Sequence, residues 1–238
     1  KARALLSRFL DQNPAQAAEA HFQLAKIELQ LGRAKAARRH LQESIALDPD
    51  SESLPARYAL AQSYEADRST DAALTEYLKI LRLEPRNVTL LDHIARIYFV
   101  KDDWEAMRDK LHEAKAVQND DATANHWLAL DAERRGEWDK AADFLRASAA
   151  LQEEPALHLR VGYFLTQAGR LKEAVGLLEN AAKVWPGNDQ IAYFLALGYD
   201  DLNRQEEAIR LLRRALELKP DGRDARYQLA MLLEKTGR

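Results

Sequence analysis

The prolines of this chain keep time. Pro14, Pro49, Pro85, Pro186 and Pro220 are separated by 35, 36, 101 and 34 residues, and 101 is one short of three times 34. A period near 34 is the signature of stacked helical hairpins, each too small to bury its apolar face without a neighbour. Complete units on this period run 18–51, 54–87, 88–121, 122–154, 155–188 and 189–222. A half-unit, 1–17, precedes them and another, 223–238, follows, so that 1–238 reads as one repeat array. Glu52 and Ser53 are inserted between the first two units, and Asn119 and Glu153 stand where other units carry the proline.

The interior of the unit repeats as well. Position 7 holds Leu24, Leu60, Ile94, Leu128, Val161 and Leu195, which supply core bulk. Position 8 holds Ala25, Ala61, Ala95, Ala129, Gly162 and Ala196, with Ala230 in the last half-unit, and position 20 holds Ala37, Ala73, Met107, Ala141, Ala174 and Ala208. Small residues at these two places let paired helices approach closely. Gly32, Gly136, Gly169 and Gly237 all fall at position 15, where one helix ends and a left-handed residue is needed. Pro55 and Pro155 stand at the start of first helices, where a missing N–H is harmless. The period therefore predicts an all-α chain of antiparallel helix pairs. Only 9 Gly and 7 Pro are present in 238 residues, and this accounting uses most of them.

Charge and composition exclude other classes. With 35 Lys+Arg against 38 Asp+Glu the formal net charge is −3, so no concentrated positive field exists to hold nucleic acid or an anionic membrane. Residues 1–51 carry a net +2 and residues 52–121 a net −4, both modest. The chain has no cysteine, hence no disulfide, thiolate metal site or thiol nucleophile, and no segment approaches the ~18 apolar residues of a membrane span. The six histidines, His21, His40, His93, His112, His126 and His158, show no metal-site spacing. No phosphate-cradling loop or framed Ser/His/Asp order occurs either. The expectation is a chain without catalytic residues, metal or cofactor. On the last second helix, Glu206–Arg210 and Arg213–Glu217 are expected as i,i+4 pairs on a solvated face beside Arg214.

Stretches such as 18–51, AEAHFQLAKIELQLGRAKAARRHLQESIALDPDS, resemble the tetratricopeptide repeat family, and the resemblance extends over essentially the whole chain. It implies a right-handed superhelical solenoid whose first helices line a concave groove through positions 2, 5, 6, 9, 12 and 13. Those positions collect Phe22, Tyr58, Phe99, His126, Trp127, Tyr163, Tyr193, Phe194 and Tyr227, with Asp92, His93, Arg96, Arg134, Arg160, Asp200 and Asp201 among them. Rigid aromatic side chains give large contact area at low entropy cost. The partner-binding candidates are Tyr58, Asp92, His93, Arg96, His126, Trp127, Arg160, Tyr163, Tyr193 and Tyr227. Trp127 leads them, because position 6 is commonly polar in the family. Co-chaperone members of the family grip a C-terminal carboxylate with five Lys, Asn and Arg residues; of these only Arg160 has a counterpart here, so that clamp is rejected.

Within the family, the long cysteine-free array is similar to the periplasmic repeat regions of bacterial exopolysaccharide-export outer-membrane proteins, the Pel type above all. That resemblance implies a periplasmic, non-catalytic scaffold that docks a polysaccharide deacetylase or hydrolase near an export pore. The alternatives are direct binding of the carbohydrate polymer along the aromatic groove, or a cytosolic assembly scaffold. Half-repeats at both ends suggest a piece of a longer array, and Leu5, Phe9, Leu229 and Leu232 are expected to expose apolar faces through which such pieces associate.

Overall fold

The computed structural model describes residues 16–47, 53–152 and 154–237. Pro14, Pro49, Leu5, Phe9, Glu52 and Glu153 lie outside the described residues. Among those described there are thirteen helices and no strand. They are α1 (Ala17–Gln30), α2 (Ala34–Leu47), α3 (Leu54–Ala66), α4 (Thr70–Leu83), α5 (Val88–Val100), α6 (Trp104–Val117), α7 (Ala122–Arg134), α8 (Trp138–Ala149), α9 (Pro155–Gln167), α10 (Leu171–Val184), α11 (Asp189–Asp201), α12 (Gln205–Leu218) and α13 (Arg223–Lys235). The chain divides into two compact units, residues 1–117 with α1–α6 and residues 118–238 with α7–α13. Within each unit every helix packs on the next in sequence, and in the second unit the first helices α9 and α11 also touch directly.

Each hairpin closes the same way. Position 15 takes a left-handed conformation in all seven occurrences: Gly32, Gly136, Gly169 and Gly237 at φ of 70–75°, and Arg68, Asp102 and Asn203 at φ of 58–60°. The next residue then donates its N–H back across the helix end, as in Arg33 to the Glu28 carbonyl (2.8 Å), Ser69 to Tyr64 (2.9 Å) and Arg204 to Tyr199 (2.7 Å). This satisfies a carbonyl the helix leaves orphaned and turns the chain by a fixed amount. Three hairpins thus reach without glycine a geometry that the glycine pattern marks for the other four.

The helix starts repeat too. Position 34 supplies the N-cap: the Asn87 side-chain oxygen accepts from Leu90 N–H (3.0 Å), Asn188 from Ile191 (3.0 Å) and Asp121 from Thr123 and Ala124 (2.9 and 3.2 Å). Pro55 and Pro155 occupy first turns, as their spacing predicts. Positions 7 and 20 are buried in every complete unit, Met107 among them, and so are the position 8 residues. Ala230 is the exception and is exposed. A second tie recurs at position 27, where the buried hydroxyls of Ser44 and Ser148 donate to the carbonyls of Ala18 (2.8 Å) and Ala122 (3.1 Å) at the head of the partner helix.

The expected apolar face of α13 is corrected. Leu232 is 3% exposed and packs with Ile209 and Leu212 of α12, and Leu229 is partly buried against the same cluster. The helical period turns those two leucines inward and leaves Tyr227 and Met231 outside. On α12, Glu217 pairs with Arg214 (3.1 Å) instead of Arg213.

Candidate functional site

In the first unit the candidate residues are committed to one another. The Tyr58 hydroxyl donates to Glu84 (3.0 Å) and accepts from the Asn87 amide (3.0 Å), which also donates to Glu84 (2.9 Å). Burial and the adjacent Glu84 carboxylate push this phenol up to about 12, so it stays protonated and ties α3 to the turn after α4. His93 lies edge-on to Tyr77 (4.8 Å between ring centres) with its Nε2 3.0 Å from Glu65, an oxygen that also accepts from the Tyr77 hydroxyl (2.9 Å). The guanidinium of Arg96 is 3.3 Å from His93 Nδ1. Asp92 is half-buried on the same helix. These side chains knit first helices to their neighbours and present little free apolar area.

In the second unit His126 and Trp127 are half-buried and meet edge to face. Burial, aided by the positive charge of Arg160, lowers the His126 pKa, so the ring favours its neutral form. Arg160 is paired with Glu133 and lies over the Phe164 ring (5.4 Å). Its guanidinium is therefore already engaged, which removes the one counterpart of the co-chaperone clamp. Tyr193 is half-buried against the α11–α12–α13 core, and its pKa is raised by burial and by Asp224. Tyr227 is 63% exposed on α13.

Tyr163 behaves differently. It is 48% exposed, rests edge-on against Trp138 (6.2 Å), and forms with Phe194, itself 40% exposed, the lips of an apolar cleft of about 160 Å³. The cleft opens between α9 and α11, and Val175 and Leu178 of α10 line it. Two of the residues that line it depart from the repeat. Gly162 stands where the other complete units have alanine, and a Cβ there would sit 3.4 Å from the Leu178 side chain. Gly198 occupies position 10, which carries Ile27, Ile97, Phe164 and Leu232 in four units and Ser63 and Asp131 in two; a Cβ on it would come within 2.7 Å of Val175 Cγ2. The absent side chains let Val175 and Leu178 of α10 approach α11 and α9 closely. The positions of Tyr163 and Phe194 are legible in the sequence. The cleft is not, although a glycine in a position of large apolar residues is the signal that could have revealed it.

Five of the six histidines make ring or polar contacts with neighbouring side chains or backbone. The Nδ1 atoms of His21 and His40 lie 3.0 Å apart, and His158 stacks edge-on to Trp185 (5.0 Å). Among the described residues no group of three or more potential ligands could hold a metal ion, and no helix is long and apolar enough to cross a membrane.

Residues 18–51, 128–189 and 165–232 each match a model of the tetratricopeptide repeat. Among curated proteins none matches the chain. Solved structures with a similar fold include MamA, 20% identical over 72% of this chain and 94% of that one with a TM-score of 0.57. YrrB, described as a TPR protein with an unusual peptide-binding site, is 19% identical over 79% and 96%, with a TM-score of 0.59. The Naa15/Naa10 complex bound to HypK-THB aligns over 96% of this chain and 35% of its own at 18% identity, with a TM-score of 0.67. Identities at this level speak to the fold alone.

Proposed function

Since the chain belongs to the tetratricopeptide repeat family, whose members are generally non-catalytic interaction scaffolds, we propose that it holds a segment of another protein against the first-helix face of its second unit. The observation that carries this reading is the cleft lipped by Tyr163 and Phe194, two large rings left in water beside an apolar recess. Exposed aromatics around a concavity are the composition of an interaction anchor, because their burial by a partner gains area at little entropic loss. YrrB, a relative in fold, has a peptide-binding site, which agrees with such use of the architecture.

The test is affinity capture from an extract of the source organism with the wild-type chain and with a Tyr163→Ala/Phe194→Ala double variant. A partner retained by the first, lost from the second, and binding directly once purified is the expected result. A partner held equally by both chains would place docking elsewhere and overturn the assignment of this face.

The narrower reading, a periplasmic scaffold for a polysaccharide deacetylase or hydrolase in Pel-type export, adds a partner class and a compartment to this proposal. It rests on the overall likeness of the array. The full-length gene product tests it: an export signal upstream and a run of alternating strands downstream support it, and a cytosolic protein lacking both refutes it. Direct polymer binding has less support, because Tyr58 is tied to Glu84 and Tyr193 is half-buried, which leaves fewer ring faces to stack on a polymer.

A further inference from the structure

We infer that the α9–α10–α11 cleft is a socket for a single aliphatic side chain of a partner segment that carries a lysine or arginine close to that anchor; this rests on the reading that this face holds a protein segment.

Size comes first. Sites for small organic ligands enclose ~300–1,000 Å³. The cleft holds about 160 Å³, below that range, which suits one side chain and not a cofactor. Its chemistry points the same way. Leu159, Val175, Leu178 and Leu197 present only carbon to the interior, and of the two hydroxyl-bearing residues that line it, Tyr163 stands at the lip and Thr166 already donates to the Gly162 carbonyl (3.0 Å). A ligand needing hydrogen bonds would lose those it makes with water and gain none there.

The charge at the mouth is one-sided. Asp201 lines the opening, is exposed, and makes no ion pair among the described residues, whereas its neighbour Asp200 is held by Lys235 (3.0 Å). The nearby cation Arg170 is saturated by Asp143 (3.0 Å) and Glu173 (2.7 Å). A cationic side chain arriving beside the anchor finds an unpartnered carboxylate and the faces of Tyr163 and Phe194, both of which favour it. An acidic segment finds neither.

Gly162 provides the means to separate binding from folding. Alanine is the residue at this position in the other five complete repeats, and the added methyl meets only the flexible end of Leu178 at 3.4 Å. Alanine also favours a helix over glycine. Gly162→Ala should therefore fold at least as well as wild type while filling the floor of the socket. Gly198→Ala would instead drive a methyl into Val175 and is unsuitable.

The experiment selects a random-peptide display library on the whole chain, then measures synthesised winners by fluorescence anisotropy. Winners that need Tyr163 and Phe194 should share a Leu, Ile, Val or Met with Lys or Arg within a few residues. Gly162→Ala should weaken them about tenfold or more, with an unchanged or raised thermal midpoint. Asp201→Lys should weaken them too, and exchanging the peptide's cation for Glu should restore part of that loss. Winners that depend on Tyr163 and Phe194 but lack the aliphatic–basic pair, or bind Gly162→Ala equally well, overturn the socket and leave the scaffold reading standing. If no winner depends on Tyr163 and Phe194, both fall.

Discussion

If the hairpin turn demands a left-handed residue at position 15, the three turns that lack glycine carry a removable strain, and they should differ in a definite order. Arg68, Asp102 and Asn203 sit at φ of 58°, 60° and 59°. An L-residue held there gives up roughly 1–2 kcal/mol. Replacement by glycine relieves this but adds about 0.5–1 kcal/mol of backbone freedom to be lost on folding. Arg68→Gly should therefore stabilise by up to about 1 kcal/mol. Asn203→Gly should gain less, because asparagine tolerates the left-handed region better than arginine. Asp102→Gly should be close to neutral, because the Asp102 carboxylate accepts from the Trp104 indole N–H (2.6 Å) and that bond, worth about 0.5–1.5 kcal/mol, is lost with it. The converse, Gly169→Ala, meets no atom within 4 Å of the new Cβ and should cost only the net of the same two conformational effects, up to about 1 kcal/mol. Urea unfolding followed by circular dichroism reads all four, provided the slope with denaturant stays that of wild type. A fall in midpoint for Arg68→Gly at unchanged slope, or an equal gain for Asp102→Gly, would refute the reasoning.

Met107 is fully buried at a position that is alanine in the other five complete repeats, so the apparent consensus change Met107→Ala should destabilise by about 2–5 kcal/mol, read as a lowered urea midpoint. Ser148→Ala should cost about 0.5–1.5 kcal/mol by removing the bond to the Ala122 carbonyl, and Ser148→Thr, which keeps the hydroxyl, should recover part of it if the site admits the methyl. His126 has a folded pKa below its ordinary 6.5, so the unfolded chain binds the extra proton first; stability should be full above about pH 6.5 and decline as pH falls below it, and His126→Gln should flatten that part of the profile.

The period, the helix pairs and the small-residue contacts were readable because each is dictated by local geometry repeated in phase. The glycines at position 15 announce their turns, but Arg68, Asp102 and Asn203 give no such sign, since the packing of the hairpin overrides local preference there. The candidate groove was legible only as a helical face. Face tells which side chains point the same way, not which are taken up by neighbours. Tyr58 and His93 are engaged by Glu84, just past the end of α4, and by Glu65 of the preceding first helix, and those partners lie 26 and 28 residues away in sequence. Leu232 illustrates the opposite failure: a residue expected to lie bare at an open end is covered by the α12 leucines. The cleft is lined by two absences of side chain, at Gly162 and Gly198, and an absence shows in a sequence only against the residues that fill the same position elsewhere.

Methyl-resolved NMR of the chain bound to a segment that needs Tyr163 and Phe194 tests the central claim most directly. The account predicts that the methyl signals of Leu159, Val175, Leu178 and Leu197 shift on binding, while those of Leu24, Leu41 and Leu60 in the first unit stay in place. Shifts centred on the first-unit methyls, with the cleft methyls unmoved, would contradict it.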